Sequence, residues 1–290
     1  MSEDTACFSA LKATADGFEV KLYHETPIGK WQEALNRWAT ENSVGAARCA
    51  VSVSAHLYEI FQLEKPNVPE DELRQALTWS VKELTKDSFK APVFDYFDSP
   101  AKSAGNQQVN VAVIEHQHVE SIIGATVNAG LTLESISVEE LSICNLVTVS
   151  DEPVLTLLQK AGEEIHLSIV KQGQLFFSRS LKGFENLGSF SVDELQMGVM
   201  DSLTVQIQRS MDYFESQLRQ APVRKVLFNI EAANSQAIGA QIAEILRVDA
   251  QPFDMPAGLA NATEQTLTYQ CVGCALALLH LPRAQSERAA

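Results

Sequence analysis

Segments typical of strands and of helices follow one another in a similar order on either side of Asp151-Glu152-Pro153. Before this point, residues 18–23 and 48–63 alternate β-branched or aromatic residues with polar ones, which favours strands. After it, residues 163–183 alternate in the same way around Gly173, which is typical of a β-hairpin. Helical patterns follow the strands in both halves. This order predicts an α/β protein built from two similar lobes.

Amphipathic helices are the second regular feature of the sequence. Residues 29–43 place two tryptophans and a leucine at helical spacing, and residues 67–84 place four aliphatic residues on one face. The strongest pattern covers residues 191–218, where apolar residues recur every three or four positions. Ser191 and Glu194 have the spacing of a capping box at its start. The pattern predicts one continuous helix of roughly 40 Å.

The charge of the chain argues against one class of partner. The formal net charge is −15 and the pI is about 4.8, with the acids spread along the chain. A surface of this sign repels phosphate backbones, so we expect no nucleic-acid partner.

Neither end of the sequence reads as a membrane or export signal. The apolar run Cys271–Leu281 is shorter than the ~20 residues that a spanning helix needs. The first residues include acids and lack a basic segment followed by an apolar one, which a secretory signal requires. We therefore expect a cytoplasmic protein.

Cysteine and histidine positions do not predict a metal site. Five scattered cysteines favour reduced thiols over a disulfide framework. Cys271 and Cys274 form a C-x-x-C motif, but they lie in an apolar helical run and no second ligand pair has useful spacing, so we interpret them as core residues. His116 and His118, with glutamates on either side, could bind a metal. The simpler interpretation is a strand end or a helix start.

No constellation of catalytic residues stands out. Glu139-Glu140 and Glu163-Glu164 are adjacent carboxylates, which point in different directions on regular secondary structure. An acid–base pair needs two groups that converge on one substrate. We therefore predict no catalytic residue.

Several short motifs, in this order, resemble one bacterial family. They are VPEDELRQALTWSVKEL (68–84) followed by VFDYF (93–97), GQLFFSRSLKG (173–183), IQRSMDYFESQL (207–218) and VGCALAL (272–278). Together they are similar to the PilM family, cytoplasmic actin-like proteins of type IV pilus assembly, and to the cytoplasmic part of the type II secretion protein GspL. Within that family the resemblance favours the mannose-sensitive haemagglutinin (MSHA) type of pilus.

The resemblance implies an actin-like (ribonuclease H-like) fold of two lobes, with a small subdomain inserted in the first. It places the first lobe at residues 1–150 with the inserted subdomain at about 66–130. The second lobe would span residues 151–285, with a tail at 286–290.

The resemblance also implies where a nucleotide would bind, and this chain departs from the pattern there. Family members that bind ATP hold its phosphates between two glycine hairpins, each headed by an acid that positions Mg²⁺. The first hairpin would lie near Asp16-Gly17, where the order of acid and glycine is reversed. The second keeps Gly162, but Lys160 stands where the acid is expected and Glu163-Glu164 follow. A glycine pair that would admit adenine is replaced by Asn229-Ile230-Glu231, which adds Cβ atoms.

One helix keeps residues that contact adenosine in the family. Arg209 and Ser210 match the family's motif, and Gln206 stands near the position of its acid. We interpret these residues and Gly162 as a remnant of a nucleotide cleft. Arg209 would then have a structural role, pairing with Asp212 or Glu215 or with an acid of the other lobe.

The implied function is that of an adaptor without catalytic activity, a pseudo-ATPase that needs no cofactor. It would lie on the cytoplasmic face of the inner membrane, bind the cytoplasmic tail of a PilN-like membrane protein and contact the assembly motor ATPase. The candidate residues for the tail share the predicted subdomain, and they are Leu73, Leu77, Trp79, Tyr96 and Phe97. The alternative is a PilM-like protein whose cleft still binds or hydrolyses ATP with Mg²⁺. The sugar-kinase branch of the fold would need a catalytic Asp and both hairpins, which this sequence does not supply.

Overall fold

The computed structural model describes residues 4–14, 17–103, 105–254 and 269–280. The strands of these ranges are β1 (Thr5–Thr14), β2 (Gly17–Pro27), β3 (Arg48–Val53), β4 (Tyr58–Glu64), β5 (Pro92–Ser103), β6 (Asn106–Glu115), β7 (Thr132–Val138), β8 (Val154–Gln159), β9 (Ile165–Lys171), β10 (Gln174–Leu181), β11 (Lys225–Ile230) and β12 (Asp249–Pro252). The α-helices are α1 (Trp31–Glu41), α2 (Glu70–Thr85), α3 (His116–Asn128), α4 (Glu139–Cys144), α5 (Val192–Glu194), α6 (Met200–Ser216), α7 (Ser235–Leu246) and α8 (Tyr269–His280).

The second lobe is built on one five-stranded sheet with the order β10-β9-β8-β11-β12. Its central strand β8 runs antiparallel to β9 and parallel to β11. Every residue of β8 is buried, as expected for a strand covered on both faces. The predicted hairpin at Gly173 is confirmed, because β9 and β10 pair around a glycine with φ of +72°. Apolar side chains of α6 and α7 pack into the core of this lobe.

The predicted continuous helix over residues 191–218 is wrong in its first part. The capping box at its start is confirmed, since the Ser191 N–H donates to the Glu194 carboxylate at 2.8 Å and the Glu194 N–H donates to Ser191 Oγ at 3.3 Å. The helix then breaks between α5 and α6 at Met197 and Gly198, where Gly198 has a φ of +107°. Glycine reaches this left-handed conformation without steric cost, so the chain kinks despite an unbroken apolar pattern.

The described strands of the first lobe form two separate two-stranded sheets. One is the antiparallel hairpin of β1 and β2, and the other is the parallel pair of β3 and β7. α1 covers β1, with the rings of Phe8 and Trp38 5.7 Å apart, and α3 packs against α1. β1 was not predicted as a strand, because its alanine, leucine and lysine residues favour helices.

α8 also belongs to the first lobe, although it lies at the far end of the chain. It packs against β1, β3 and α4. A Cβ atom at Gly273 would lie 2.0 Å from the Ser142 carbonyl oxygen, so the two helices approach more closely than a side chain allows. The predicted second lobe at residues 151–285 therefore needs correction, because the chain crosses back into the first lobe before residue 269. The tail at 286–290 lies outside the described residues.

A small subdomain, here named the insert, is formed by the three-stranded sheet β4-β6-β5 and α2. Leu73, Leu77 and Val81 of α2 pack on three buried valines of β6. The insert spans residues 58–115, whereas 66–130 was predicted. The bounds differ because β4 pairs with β6 and because α3 packs on the first lobe.

The far end of β5 leaves the insert and packs against the second lobe. The pairing of β5 with β6 shifts register between Asp98 and Lys102. Ala101 is buried within the core of the second lobe, and Phe97 packs on a cluster that joins the two lobes. The insert is therefore anchored on both lobes.

Candidate functional site

A polar cavity lies between the lobes, at the position where the β8–β9 turn faces α4. Its volume is about 50 Å³. Its lining includes side chains from the start of α4, the β8–β9 turn, β9, the end of β11 and the start of α8, among them Glu139, Glu140, Gln159, Lys160, Glu163, His166, Asn229, Glu231, Tyr269 and Gln270. Both lobes thus contribute polar groups to one site.

Glu139 and Glu140 are held at the start of α4 by groups from three other elements. Glu139 is buried, and its Oε1 lies 3.2 Å from His166 Nδ1. Its Oε2 accepts a hydrogen bond from the Ala55 N–H at 3.3 Å. The Tyr58 hydroxyl donates to Glu140 Oε2 at 2.5 Å and accepts from the Glu139 N–H at 3.2 Å. The two carboxylates therefore belong to one hydrogen-bonded cluster.

The position of these carboxylates corrects the prediction that adjacent glutamates diverge. Val138 is extended, with φ of −78° and ψ of 155°, and the chain turns directly from β7 into α4. The change from strand to helix directs both side chains into the cleft. The neighbouring pair fits the prediction better, because only Glu163 lines the cavity, while Glu164 lies 3.8 Å from Lys182 Nζ.

Burial changes the protonation of this cluster. It raises the pKa of Glu140 to about 7, and the nearby charge of Glu139 acts in the same direction. Burial and the two glutamates also raise the pKa of Tyr58. Glu140 is therefore partly protonated near neutral pH, so one carboxyl of the cleft can donate a proton as well as accept one.

The cleft is small and acidic where an actin-like protein would hold phosphates. Four carboxylates line it, from Glu139, Glu140, Glu163 and Glu231, against one lysine, Lys160. Ligand pockets for small molecules are typically about 300–1,000 Å³, several times this volume. Like charges at close range disfavour a triphosphate.

The predicted nucleotide residues do not meet in this cavity. Arg209, Ser210 and Gln206 lie on α6, and Gly162 lies in the β8–β9 turn with a φ of +84°, but none of them lines the cavity. Ser210 is buried and its hydroxyl donates to the Gln206 carbonyl at 3.2 Å, a bond within the helix. Asn229, which replaces a family glycine, donates to the Tyr269 hydroxyl at 2.5 Å.

The expected ion pair of Arg209 is also absent from the described part of the chain. Arg209 is exposed, and Asp212 instead accepts a hydrogen bond from Gln208 at 2.7 Å. Burial lowers the pKa of the Arg179 guanidinium, and the charge of Arg209 acts in the same direction. The two arginines thus form a site of positive charge on an acidic protein.

Arg179 is a site residue that the sequence analysis missed. It lines a second cavity of about 190 Å³, together with Tyr58, Glu140 and His166. Its Nη2 donates to Gln206 Oε1 at 2.6 Å, while its Nε is buried without a hydrogen-bond partner in the described structure. The available signal in the sequence was the position of Arg179 in an alternating strand motif, with polar neighbours on both sides.

The five residues predicted to bind a partner do not form one surface. Leu73 and Leu77 are fully buried in the core of the insert, so their side chains cannot contact another protein. Tyr96 lies near the Arg74 guanidinium, and its neighbour Phe97 packs on the cluster between the lobes. Trp79 alone is open, with 72% of its surface exposed.

Cys271 and Cys274 lie on α8, and His116 and His118 lie in the first turn of α3. Cys274 is buried, and Cys271 Sγ lies 3.1 Å from Ser9 Oγ in a helix–strand contact. His116 begins α3 and lies 3.4 Å from the exposed Glu120. Among the described residues, no group of three or more His, Cys, Asp or Glu side chains is arranged to hold a metal.

No helix of these residues is long and apolar enough to span a membrane.

The β1–β2 hairpin, at which the sequence analysis expected the first phosphate loop, does not correspond to the β8–β9 turn of the second lobe. The β1–β2 hairpin is antiparallel and lies at the edge of its lobe, as the β9–β10 hairpin around Gly173 does in the second lobe. In the second lobe, the turn that the resemblance assigns to the phosphates joins β8 to β9 instead. Asp16 itself lies outside the described residues. The absence of an acid–glycine pair near residue 16 therefore says nothing about phosphate binding.

Several solved structures are similar to this chain. The PilM-PilN type IV pilus biogenesis complex matches with a TM-score of 0.67 and 15% identity, covering 96% of this chain and 96% of that chain. The cytoplasmic domain of EpsL, an inner membrane component of the type II secretion system of Vibrio cholerae, matches with a TM-score of 0.50 and 12% identity over 96% and 92% of the two chains. A Bacteroides thetaiotaomicron protein with an actin-like ATPase fold matches at 0.47 and 10% identity over 86% and 87%.

These likenesses confirm the predicted fold class, an actin-like α/β fold of two lobes. No protein-family model matches the chain, and a search of curated proteins finds no match.

Proposed function

We propose that this chain is an adaptor in the inner-membrane assembly platform of a type IV pilus. The observation that supports the proposal most strongly is the structural likeness to the PilM-PilN complex over 96% of both chains. The likeness to EpsL favours the same class of machinery. We propose the MSHA type of pilus, with MshI as its counterpart, on the sequence motifs given above.

In this proposal the chain is a pseudo-ATPase. The cleft of about 50 Å³ supports this view, since it offers a triphosphate little room and its four carboxylates outnumber the single lysine, Lys160. The glutamates at its base are bonded to protein groups, as Glu139 is to His166. Glu139 thereby links the two lobes, and Glu140 bonds to Tyr58 of the insert, so in this proposal neither carboxylate is a metal ligand.

The proposed partner is the cytoplasmic tail of a PilN-like membrane protein. Through it the chain would lie at the cytoplasmic face of the inner membrane and contact the motor ATPase. Trp79 is the residue we propose for the tail, because a large aromatic side chain with 72% exposure is a typical anchor of protein interfaces.

The test is calorimetric titration of the chain with a synthetic peptide of the tail of the neighbouring PilN-like protein. We expect saturable binding that weakens about tenfold in Trp79→Ala, a loss typical of an interface anchor. Met197→Ala is the matched control, since Met197 is an exposed apolar residue of the second lobe. Absence of tail binding would contradict the proposal, and equal loss in both variants would contradict the role of Trp79.

The alternative function is ATP binding, and one observation favours it. Arg179 and Arg209 lie close together near the cleft, and Arg179 has an unpartnered Nε. If the alternative holds, calorimetry will show saturable Mg-ATP binding that is lost in Arg209→Ala. The adaptor proposal expects no heat of binding from either protein.

A further inference from the structure

The turn between α5 and α6 exposes an apolar side chain to solvent. Met197 is 84% exposed, the largest fraction among the large apolar residues of the described structure. Residues 195–199 form one π-type turn, in which the Met200 N–H donates to the Leu195 carbonyl. Met197 has φ of −82° and ψ of 30°, and Gly198 then turns the chain with its φ of +107°. Single π-type turns inside helices occur frequently at functional sites, so this turn is a candidate for one.

Exposed residues on both sides of the turn extend this apolar feature into a surface. Val192 and Asp193 precede the turn on α5, and Asp201 and Val205 follow it on α6. All four side chains are exposed. Asp201 and Val205 are four residues apart, so they share one side of α6. These four residues and Met197 are here named the kink surface.

The charge of the kink surface has one sign. Between Lys182 and Arg209 the sequence contains four acids and no Lys, Arg or His. Asp193 and Asp201 are exposed, and neither carboxylate forms an ion pair or a hydrogen bond within the described part of the chain. Both are therefore open to a partner. Exposed apolar groups beside unpaired acids complement a partner that is both apolar and basic.

This charge argues against two other occupants. Anionic lipid headgroups repel a surface whose only charges are acids. A second copy of the chain, meeting the same surface about a two-fold axis, would bring Asp193 and Asp201 close to their own equivalents, and like charges at close range cost free energy. The net charge of −15 on each copy adds to this repulsion. A cationic segment of another protein is attracted instead.

We propose that the kink surface binds an amphipathic helix of a partner protein, with apolar side chains on one face and Lys or Arg beside them. Helices of this kind dock through their apolar face, and the basic residues on their flanks select an acidic site. Met197 suits the role of central anchor because its unbranched thioether adapts to varied apolar neighbours. The surface belongs to the second lobe, whereas Trp79 belongs to the insert. The chain therefore has a site for a second partner, separate from the tail proposed above.

The test uses the full chain and a synthetic helical peptide of about 18 residues, with leucine at every third or fourth position and lysine elsewhere. Such a helix is roughly 27 Å long, enough to cover residues 192–205. Fluorescence anisotropy of the labelled peptide measures its Kd at low salt. We expect saturable binding that weakens about tenfold in Met197→Ala, through loss of the anchor, and about tenfold in Asp201→Lys, through reversal of a contacting charge. Hydrogen exchange with bound peptide should slow within residues 191–205.

Matched variants separate this site from diffuse attraction to an acidic protein. Trp79→Ala removes an exposed apolar residue and Asp87→Lys reverses an exposed acid, both in the insert, and neither should change the Kd. A peptide with glutamate in place of lysine should bind about tenfold more weakly or not at all. All four substituted positions are exposed, and urea unfolding confirms that each variant is folded. Tail binding is measured separately, with Met197→Ala as its unaffected control, so the two proposals fail independently.

Several results would overturn the proposal. They are no saturable binding of the lysine peptide, an unchanged Kd in Met197→Ala and Asp201→Lys, an equal loss in the two insert variants, and equal binding of the glutamate peptide. Gel filtration that shows a dimer of the free chain, dissociated by Met197→Ala, would assign the surface to a second copy. Binding to phosphatidylglycerol vesicles that Met197→Ala abolishes would assign it to a membrane.

Discussion

The ionisation of a single residue, Glu140, should make the stability of the folded protein depend on pH. Burial raises its pKa to about 7 in the folded protein, above its ordinary value of 4.5. The folded state therefore holds its proton more tightly than the unfolded state. The resulting stability is fully present below pH 4.5 and is lost as the pH rises through 7.

We predict that Glu140→Gln removes this dependence. The amide stays neutral and still accepts the Tyr58 hydroxyl, so at pH 8 the variant should be more stable than the wild type by about 3 kcal/mol, and nearly equal to it at pH 4.5. Urea unfolding at both pH values measures the difference. Glu244→Gln, at an exposed position of α7, is the control and should change neither value. Parallel pH curves for wild type and Glu140→Gln would contradict the assignment.

Truncation to alanine should have very different effects on stability at two residues of α2. Leu77 is buried against β6, so Leu77→Ala should cost about 3 kcal/mol of unfolding free energy through lost burial and a cavity. Trp79 is exposed, so Trp79→Ala should change stability by no more than about 0.5 kcal/mol. Chemical denaturation compares the two. A large loss in Trp79→Ala would show that the tryptophan packs against the protein in solution.

At the scale of an element, the break between α5 and α6 depends on Gly198. Its φ of +107° is strained for any residue with a Cβ atom, although no neighbouring atom would touch that Cβ. Gly198→Ala should therefore destabilise the protein by about 1 kcal/mol. Gly124→Ala is the matched control, because Gly124 lies inside α3 with open space around it, and there alanine should stabilise by about 0.5 kcal/mol. Thermal unfolding of both variants should give shifts of opposite sign; a stabilised Gly198→Ala would mean that the helix is continuous.

Local sequence patterns predicted the type of most elements but not their partners. The capping box and the Gly173 hairpin are local signals, and both are present. β1 escaped prediction because its alanine and leucine residues suit a helix, and only pairing with β2 makes it a strand. The acidic cleft also escaped, since the meeting of Glu139 with His166 depends on tertiary packing across the lobes.

At the scale of the whole molecule, the first lobe contains a helix from the far end of the chain. α8 follows the second lobe in sequence but forms a wall of the first, with Val272 and Leu276 buried. A fragment of residues 1–150 lacks this wall. We predict that it will not unfold cooperatively, and that adding residues 151–290 as a second chain will restore a cooperative transition. Circular dichroism during heating measures both, and cooperative melting of the fragment alone would contradict the assignment of α8.

The resemblance to a known family predicted the fold class more specifically than hydrophobic periodicity did. Few residues outside the cleft are diagnostic of an actin-like protein, so periodicity alone predicted only an α/β protein of two lobes. The resemblance did not predict the bounds of the insert correctly. β3 and β4 lie within one strand-like segment of the sequence, residues 48–63, so the start of the insert at β4 was not visible. A short turn at Ala55–Leu57 takes the chain from one sheet to another. These three residues are not of the types that typically predict a turn.

The far end of β5 decides how the parts of this molecule can move. Rotation of the insert away from the second lobe would have to withdraw Ala101 from an apolar interior and expose it to water. The insert is restrained from the other side as well, because Ile60, Ala112 and Ile114 pack on the core of the first lobe. Any widening of the cleft would therefore have to separate apolar contacts between the insert and one of the two lobes.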